Sequence, residues 1–313
     1  MQKRWLIKDA SNKETVQKLQ HDLNVSQIIS GMLVHRGITS YDEAEKFFNP
    51  SLEGLHDPFL MKDMDIAVSR INNAIEKKQK MLIYGDYDVD GTTAVSLFYG
   101  MLIAKYARCE YYIPDRYLEG YGVSEKGIQY AIDNGFALIV TLDCGVKAVE
   151  MADVAKASGV DMIICDHHTP GEKLPNAIVL DPKRKDCSYP YDELSGCGVG
   201  FKLLQALWKT NNWDQQELLE QLDLLAISIG ADIVPITGEN RTLAFYGMKQ
   251  VNEYPRIGVL AMLEIAKKKA PLTLTDVVFT IAPRINAAGR MGDAKTAVKL
   301  LLSEDLSEAT TIA

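Results

Sequence analysis

The sequence predicts an α/β fold in which a doubly wound, mainly parallel sheet is flanked by helices, with helical segments at the N- and C-terminal ends of the chain. Three observations predict it. Five short apolar runs, near residues 81–84, 110–113, 137–142, 162–165 and 177–180, read as strands. Helical patterns separate most of them, and strand–helix alternation of this kind builds a parallel sheet covered on both faces. Cap and stop residues mark a helix between two of the runs: Ser124, with Gly127 after it, opens it, and Asn134-Gly135 ends it before the next strand.

Ahead of the sheet, residues 5–58 are helical and loop-rich, with a helix over 41–48 that stops before Pro50. Within the sheet region a helix is expected over 146–158. Beyond Gly198 the pattern turns mostly helical, over 199–209, 217–229 and 241–250, and the sequence ends inside a further helix after Ser303. That ending predicts that the natural chain runs on. No repeat or low-complexity segment interrupts the pattern.

With 313 residues, 47% of them apolar, the chain can bury a large core as one large domain with an appendage, or as two domains. No window approaches a membrane span, and the start, MQKRWLIKDA, lacks the apolar run and cleavage site of a signal peptide, so a cytoplasmic location is expected, with no membrane partner. Five cysteines, an odd number without a C-x-x-C pair, argue against a disulfide framework and a thiolate zinc site; they read as small buried hydrophobes. A net charge of −8 argues against a nucleic-acid binder, which usually shows a basic footprint. Two effects weaken that objection: bound metal neutralises carboxylates, and gripping one strand end needs only a local positive patch.

The chemistry-bearing residues gather at strand ends. Tyr84-Gly85-Asp86-Tyr87-Asp88-Val89-Asp90-Gly91 places three carboxylates at alternate positions between a strand and a helix, a concentration of hard oxygen ligands. It overlaps the calcium-loop pattern D-x-D-x-D-G. The bidentate Glu required at the twelfth loop position falls on Leu97, however, and a strand stands before the loop. Asp143, in Thr141-Leu142-Asp143-Cys144-Gly145, ends an otherwise apolar strand, where a charge is costly unless paired or bound to metal. Capping the helix over 146–158 would account for it equally well. Asp166-His167-His168 ends another strand, and imidazole beside carboxylates suits manganese or another first-row metal better than magnesium or calcium alone. In open α/β sheets ligands bind outside the carboxyl ends of the strands, so these three ends should face one crevice. Asp232, in Gly230-Ala231-Asp232-Ile233-Val234-Pro235, follows a long apolar helix and needs a partner, which a metal or an arginine would supply. Ser195-Gly196-Cys197-Gly198-Val199-Gly200 opens a helix and superficially resembles a dinucleotide fingerprint, but lacks its spacing and strand context. Its glycines read as allowing a tight turn and close packing.

In this order GDYDVDG, TLDCG, CDHHTPGEKLP and GADIVP resemble the four motifs of the DHH phosphoesterase family. Two further segments, IPDRYLEGYG from Ile113 and PRINAAGR from Pro283, resemble those of its branch of single-strand-specific 5′→3′ DNA exonucleases; together the six motifs run from about residue 81 to 290. The resemblance implies that Asp88, Asp90, Asp143, His167 and Asp232 ligate two Mn2+ ions, or Mg2+, with Asp143 as the bridge and Asp86 as a sixth ligand. It places His168 beside the scissile phosphate as a donor to its oxygens, which makes Asp143, His167 and His168 the catalytic set. It also implies that Arg116, Arg284, Asn286 and Arg290 contact strand phosphates; salt bridges to some of the 42 acidic residues are the other reading of the arginines. Tyr117 and Tyr121, near Arg116, are candidates for stacking on bases, with core packing as the alternative.

The implied activity is hydrolysis of single-stranded DNA from its 5′ end, releasing nucleoside 5′-monophosphates, in DNA repair and recombination. Two metals about 3.5–4 Å apart would activate a shared water for in-line attack and neutralise phosphate charge. A helicase or a single-strand-binding protein would be the natural protein partner. Members of this branch are longer, with a second phosphoesterase domain and a barrel-type nucleic-acid-binding domain. The expected organisation is therefore an N-terminal helical extension at 1–65, a DHH phosphoesterase domain at 66–240, and a helical segment at 241–313 leading to a second domain absent from this chain. Two rival readings stand beside this one. A phosphodiesterase for short oligonucleotides or cyclic dinucleotides, or a pyrophosphatase, typically opens with a histidine where this chain has Tyr84. A non-catalytic scaffold, like the replicative helicase subunit that shares this fold in eukaryotes, loses metal ligands that are all present here.

Overall fold

A computed structural model describes Arg4, residues 12–290 and residues 295–313, with side chains described up to 287 in the first long stretch. Residues 5–11 of the N-terminal pattern lie outside the described residues. The chain divides into two compact units, Met1–Leu55 and His56–Ala313. The smaller unit holds helices Lys13–Leu23, Gln27–Val34 and Tyr41–Phe48, opened by the cap residues Asn12, Ser26 and Ser40. Ser40 and Glu43 form the reciprocal capping box that fixes the helix expected over 41–48. Val16, Leu19, Leu33 and Ala44 form its buried face.

In the larger unit, the five apolar runs form a fully parallel sheet. Strands β1 (Lys80–Gly85), β2 (Cys109–Tyr112), β3 (Phe136–Leu142), β4 (Asp161–Cys165) and β5 (Ile178–Leu180) lie in the order β2-β1-β3-β4-β5. Near-continuous burial along β1, β3 and β4 fits a parallel sheet covered on both faces. One face packs on helices Glu125–Asp133 and Val149–Ala157, around Tyr84, Ile128, Phe136, Ile139, Ala152 and Ile164. Helices Val89–Lys105 and Gly196–Asn211 pack against other sheet contacts, and Leu222–Asp232 packs on Val89–Lys105. Ten consecutive residues, from Val89 to Phe98, are buried at the start of the first of these helices, which sets it deep in the fold. Among the described residues no helix is long and apolar enough to cross a membrane.

Two elements differ from the sequence expectation. The helix expected over 217–229 is two helices, Gln216–Leu219 and Leu222–Asp232. Gln250 stabilises the break: its amide nitrogen donates to the Leu219 carbonyl and its amide oxygen accepts from Asp223 N at 3.0 Å. The helix expected over 146–158 starts only at Val149, because Val146 N is engaged by the Asp166 carboxylate at 2.8 Å. Asp143 does not cap that helix, whose N-cap residue is Ala148.

A buried charge pair ties the helical layer together. Lys202, fully buried on Gly196–Asn211, meets Glu239 of helix Gly238–Glu253 at 2.6 Å. The His56 amide and the Tyr189 hydroxyl donate to the same carboxylate, at 2.9 and 2.6 Å. A buried pair needs such extra hydrogen bonds to offset its desolvation.

Candidate metal centre

The sheet register puts carboxylates in a row. Gly85 pairs with Leu142, Leu142 with Cys165, and Cys165 with Leu180, so the next residues, Asp86, Asp143, Asp166 and Asp181, stand on adjacent strand ends. All four are buried. Asp143 takes a left-handed backbone conformation (φ 59°), a strained geometry for a non-glycine residue, while its amide stays in the sheet through Cys165 O at 2.9 Å.

Three further groups converge on that row. Asp88 caps helix Val89–Lys105 through Gly91 N at 2.9 Å, and Asp90 lies in its first turn. The chain can turn so tightly there because Gly91 has no Cβ, which would collide with the Asp86 backbone. Asp232 ends helix Leu222–Asp232. His167 sits at the centre, its Nε2 3.2 Å from Asp143 Oδ1, 3.6 Å from Asp232 Oδ2 and 3.8 Å from Asp90 Oδ2. The ligand-type atoms of Asp90, His167 and Asp232 all lie within 4.8 Å of one another, as do those of Asp143, His167 and His168.

Electrostatics shows what the cluster lacks. Burial, reinforced by Asp88, pushes the Asp86 carboxyl up to about 7. Burial and the charges of Asp90 and Asp88 raise Asp143 well above the carboxylate range and Asp232 to about 7. Burial raises Asp88 as well, and it depresses His167. Asp86 Oδ2, Asp143 Oδ1 and both ring nitrogens of His167 are buried and make no well-aligned hydrogen bond, the 3.2 Å approach of His167 Nε2 to Asp143 Oδ1 included. Buried polar atoms normally find partners, and carboxylate with imidazole is a donor set for divalent first-row ions. The residues therefore fit a metal centre, which Asp86, Asp88, Asp90, Asp143, His167 and Asp232 could hold.

His168 is held differently. Its Nδ1 lies 2.8 Å from Asp166 Oδ1 and its Nε2 3.1 Å from the Tyr121 hydroxyl. The bond to Asp166 raises the His168 pKa. Burial opposes ionisation of Asp166, yet the bonds from His168 and from Val146 N outweigh it and hold that carboxyl below its ordinary range. Asp166 therefore orients His168, a role that sequence reasoning left unassigned although the two residues are adjacent to the same motif histidine. Asp181 was likewise missed; it is fully buried and raised to about 7 by burial, and only its strand-end position signals it.

The residues expected to contact phosphate lie on different elements, Arg116 in the loop after β2 and Arg284 and Asn286 on helix Ala282–Arg290. Arg116 is exposed, its guanidinium 5.0 Å from the Tyr87 ring centre, and Tyr87 meets Tyr121 edge-on at 6.2 Å. Tyr117 and Tyr121 are 73% and 56% exposed, so neither is a core residue. Arg284 donates to Thr280 O of its own helical stretch at 2.7 Å, and Asn286 is half-buried on helix Ala282–Arg290. The Arg290 side chain lies outside the described residues.

The family model of the DHH family, N-terminal domain, matches residues 80–229, the segment that carries the sheet and most of the cluster. That segment is a DHH-family N-terminal domain. Among curated proteins it is similar to the single-stranded-DNA-specific exonuclease RecJ of Bacillus subtilis (strain 168), 39% identical over 99% of this chain and 39% of that protein. The RecJ of Escherichia coli (strain K12) is 33% identical over 91% of this chain and 51% of that protein. Among solved structures, an exonuclease RecJ bound to manganese matches with a TM-score of 0.74 at 31% identity, over 84% of this chain and 65% of that one. RecJ of Thermus thermophilus in complex with Mn2+ matches with a TM-score of 0.79 at 27% identity, over 95% of this chain and 42% of that one. The chain thus spans between 39% and 51% of the length of these two curated relatives.

Proposed function

We propose that the chain carries the metal-dependent catalytic part of a single-stranded-DNA-specific 5′→3′ exonuclease that releases nucleoside 5′-monophosphates and serves DNA repair and recombination. The observation that carries the reading is the set of buried Asp86, Asp143 and His167 atoms, without a well-aligned hydrogen bond, at the carboxyl ends of a parallel sheet. Relatives named as single-stranded-DNA-specific exonucleases, and RecJ structures with manganese bound, support the choice of substrate and of Mn2+, with Mg2+ as the alternative.

In this reading Asp88, Asp90, Asp143, His167 and Asp232, with Asp86 as a sixth ligand, would hold two ions. When bound, the ions would supply an activated water and neutralise phosphate charge. The chain's own residues orient the substrate. Asp166 fixes the His168 ring through Nδ1, and Nε2, which meets the Tyr121 hydroxyl, would exchange that contact for a phosphate oxygen. Arg116, held over Tyr87, contacts a strand phosphate, and Arg284, Asn286 and Arg290 are the further phosphate contacts of this reading. The exposed rings of Tyr117 and Tyr121 stack on bases, a sequence-tolerant contact. The protein works in the cytoplasm, beside a helicase or a single-strand-binding protein.

The test is digestion of a long single-stranded DNA labelled at its 3′ end, with Mn2+, beside an Asp143→Ala control. The expected result is a ladder of labelled fragments shortening from the 5′ end, absent from the control. Cleavage confined to dinucleotides would instead favour a short-oligonucleotide phosphodiesterase, and an intact strand in both lanes would count against nuclease activity.

A further inference from the structure

Asp90 differs from its neighbours in the cluster: both of its carboxylate oxygens are engaged. Oδ2 accepts from Gly196 N at 2.7 Å, and Oδ1 accepts from Cys197 N at 2.8 Å and from the Ser228 hydroxyl at 2.7 Å. The two amides are the first of helix Gly196–Asn211, whose N-terminus favours negative charge. Ser228 Oγ also lies 2.6 Å from Ser195 Oγ, which in turn accepts from Gly198 N at 3.1 Å. A carboxylate only accepts and a serine has one proton, so the direction of the chain is determined. Gly198 N donates to Ser195, Ser195 to Ser228, and Ser228 to Asp90. Such a series polarises each bond in it. Asp90, Ser195 and Ser228 are all buried, so water does not compete.

The relay also spans elements. Asp90 rides on helix Val89–Lys105, Ser195 caps Gly196–Asn211, and Ser228 lies on Leu222–Asp232, one helical turn before Asp232. A single hydroxyl thus ties Asp90 to the helix that delivers Asp232. With Oδ1 saturated, Asp90 is left to address the centre through Oδ2, the atom 3.8 Å from His167 Nε2.

We infer that Ser228, relayed through Ser195, is a positioning residue of the metal centre: it presets the Asp90 carboxylate and the Asp90–Asp232 spacing, and thereby sets the affinity for the divalent ion. The inference rests on the metal-centre reading above. Removing an outer partner of a metal ligand typically weakens binding by about 10–100-fold.

The test is Mn2+ titration of the purified chain, read by the electron paramagnetic resonance of the free ion, for wild type, Ser228→Ala, Ser195→Ala and Ser96→Ala. Alanine is the better helix former, so Ser228→Ala keeps its helix. Ser96 is the control for loss of a buried hydroxyl: it lies on the same helix as Asp90 but, among the described residues, its hydroxyl bonds only to Thr92 O, at 2.7 Å. The expected result is Mn2+ affinity weakened about tenfold in Ser228→Ala, weakened less in Ser195→Ala, and unchanged in Ser96→Ala. Equal affinities for Ser228→Ala and Ser96→Ala overturn the inference while leaving the metal centre standing. A wild-type chain that binds no Mn2+ removes the metal-centre reading and the inference with it.

Discussion

Replacing Gly196 by alanine tests how tightly the cluster is built. A Cβ there would stand 2.5 Å from Asp143 Cβ and Oδ1 and 2.7 Å from Asp143 Cα. Ordinary carbon contacts lie at about 3.5–4.0 Å, so the overlap is about 1 Å. Neither side can yield freely. The Gly196 and Cys197 amides are bound to Asp90, and the Asp143 amide is bound to Cys165 O. Overpacking of this kind costs about 1–3 kcal/mol, and a displacement of about 1 Å in a catalytic group costs about a hundredfold in rate. Gly198→Ala is the matched control: in the same first turn, its Cβ would meet nothing closer than 3.4 Å. Thermal melts and Mn2+-dependent hydrolysis of single-stranded DNA should show Gly196→Ala less stable and about a hundredfold slower, with Gly198→Ala close to wild type. Two variants alike in melting temperature and rate would refute the argument that Gly196 lets the helix start abut Asp143.

Three other outcomes are expected. Lys202→Met leaves Glu239 charged and buried, and should lower stability by about 3–5 kcal/mol in urea unfolding; a change under about 1 kcal/mol would show that the pair is not a constraint on the helical layer. Without metal, Asp86 is raised from 3.8 to about 7, so the folded chain holds a proton that the unfolded chain has lost; its contribution is present at low pH and is lost as pH rises from about 4 through about 7. Metal-free wild type should therefore lose stability against Asp86→Asn over that range, by at most about 4 kcal/mol, and Mn2+ should stabilise wild type more at pH 8 than at pH 5; a flat difference would contradict the burial argument. Arg116→Ala, in an Asp143→Ala background, should weaken binding of single-stranded DNA and reduce the slope of log affinity against log salt by about 0.7; an unchanged slope in fluorescence anisotropy would take Arg116 off the phosphate path.

The sheet and the cluster are legible in the sequence to the extent that each signal is local. An aspartate one step beyond an apolar run marks a strand end, and parallel register then brings Asp86, Asp143 and Asp166 side by side. What escapes is set by partners far along the chain. Ser228 reads as one more small residue in an apolar helix, because the carboxylate it serves is 138 residues away. The glycines at 196 and 198 invite a nucleotide-binding reading, yet the Gly196 amide serves Asp90 across 106 residues. The break between Leu219 and Leu222 is invisible in periodicity, since Gln250 on another helix bridges it. Asp166 sits in plain view beside His167, but only the 2.8 Å contact to His168 Nδ1 separates its orienting role from that of the cluster carboxylates.

The most direct test of the central claim is a count of bound manganese. Anomalous diffraction from crystals soaked in Mn2+, paired with solution stoichiometry, should find two ions among Asp86, Asp88, Asp90, Asp143, His167 and Asp232, and Asp143→Ala should lose them. Manganese bound elsewhere, or a wild-type chain that takes up none, would contradict the account.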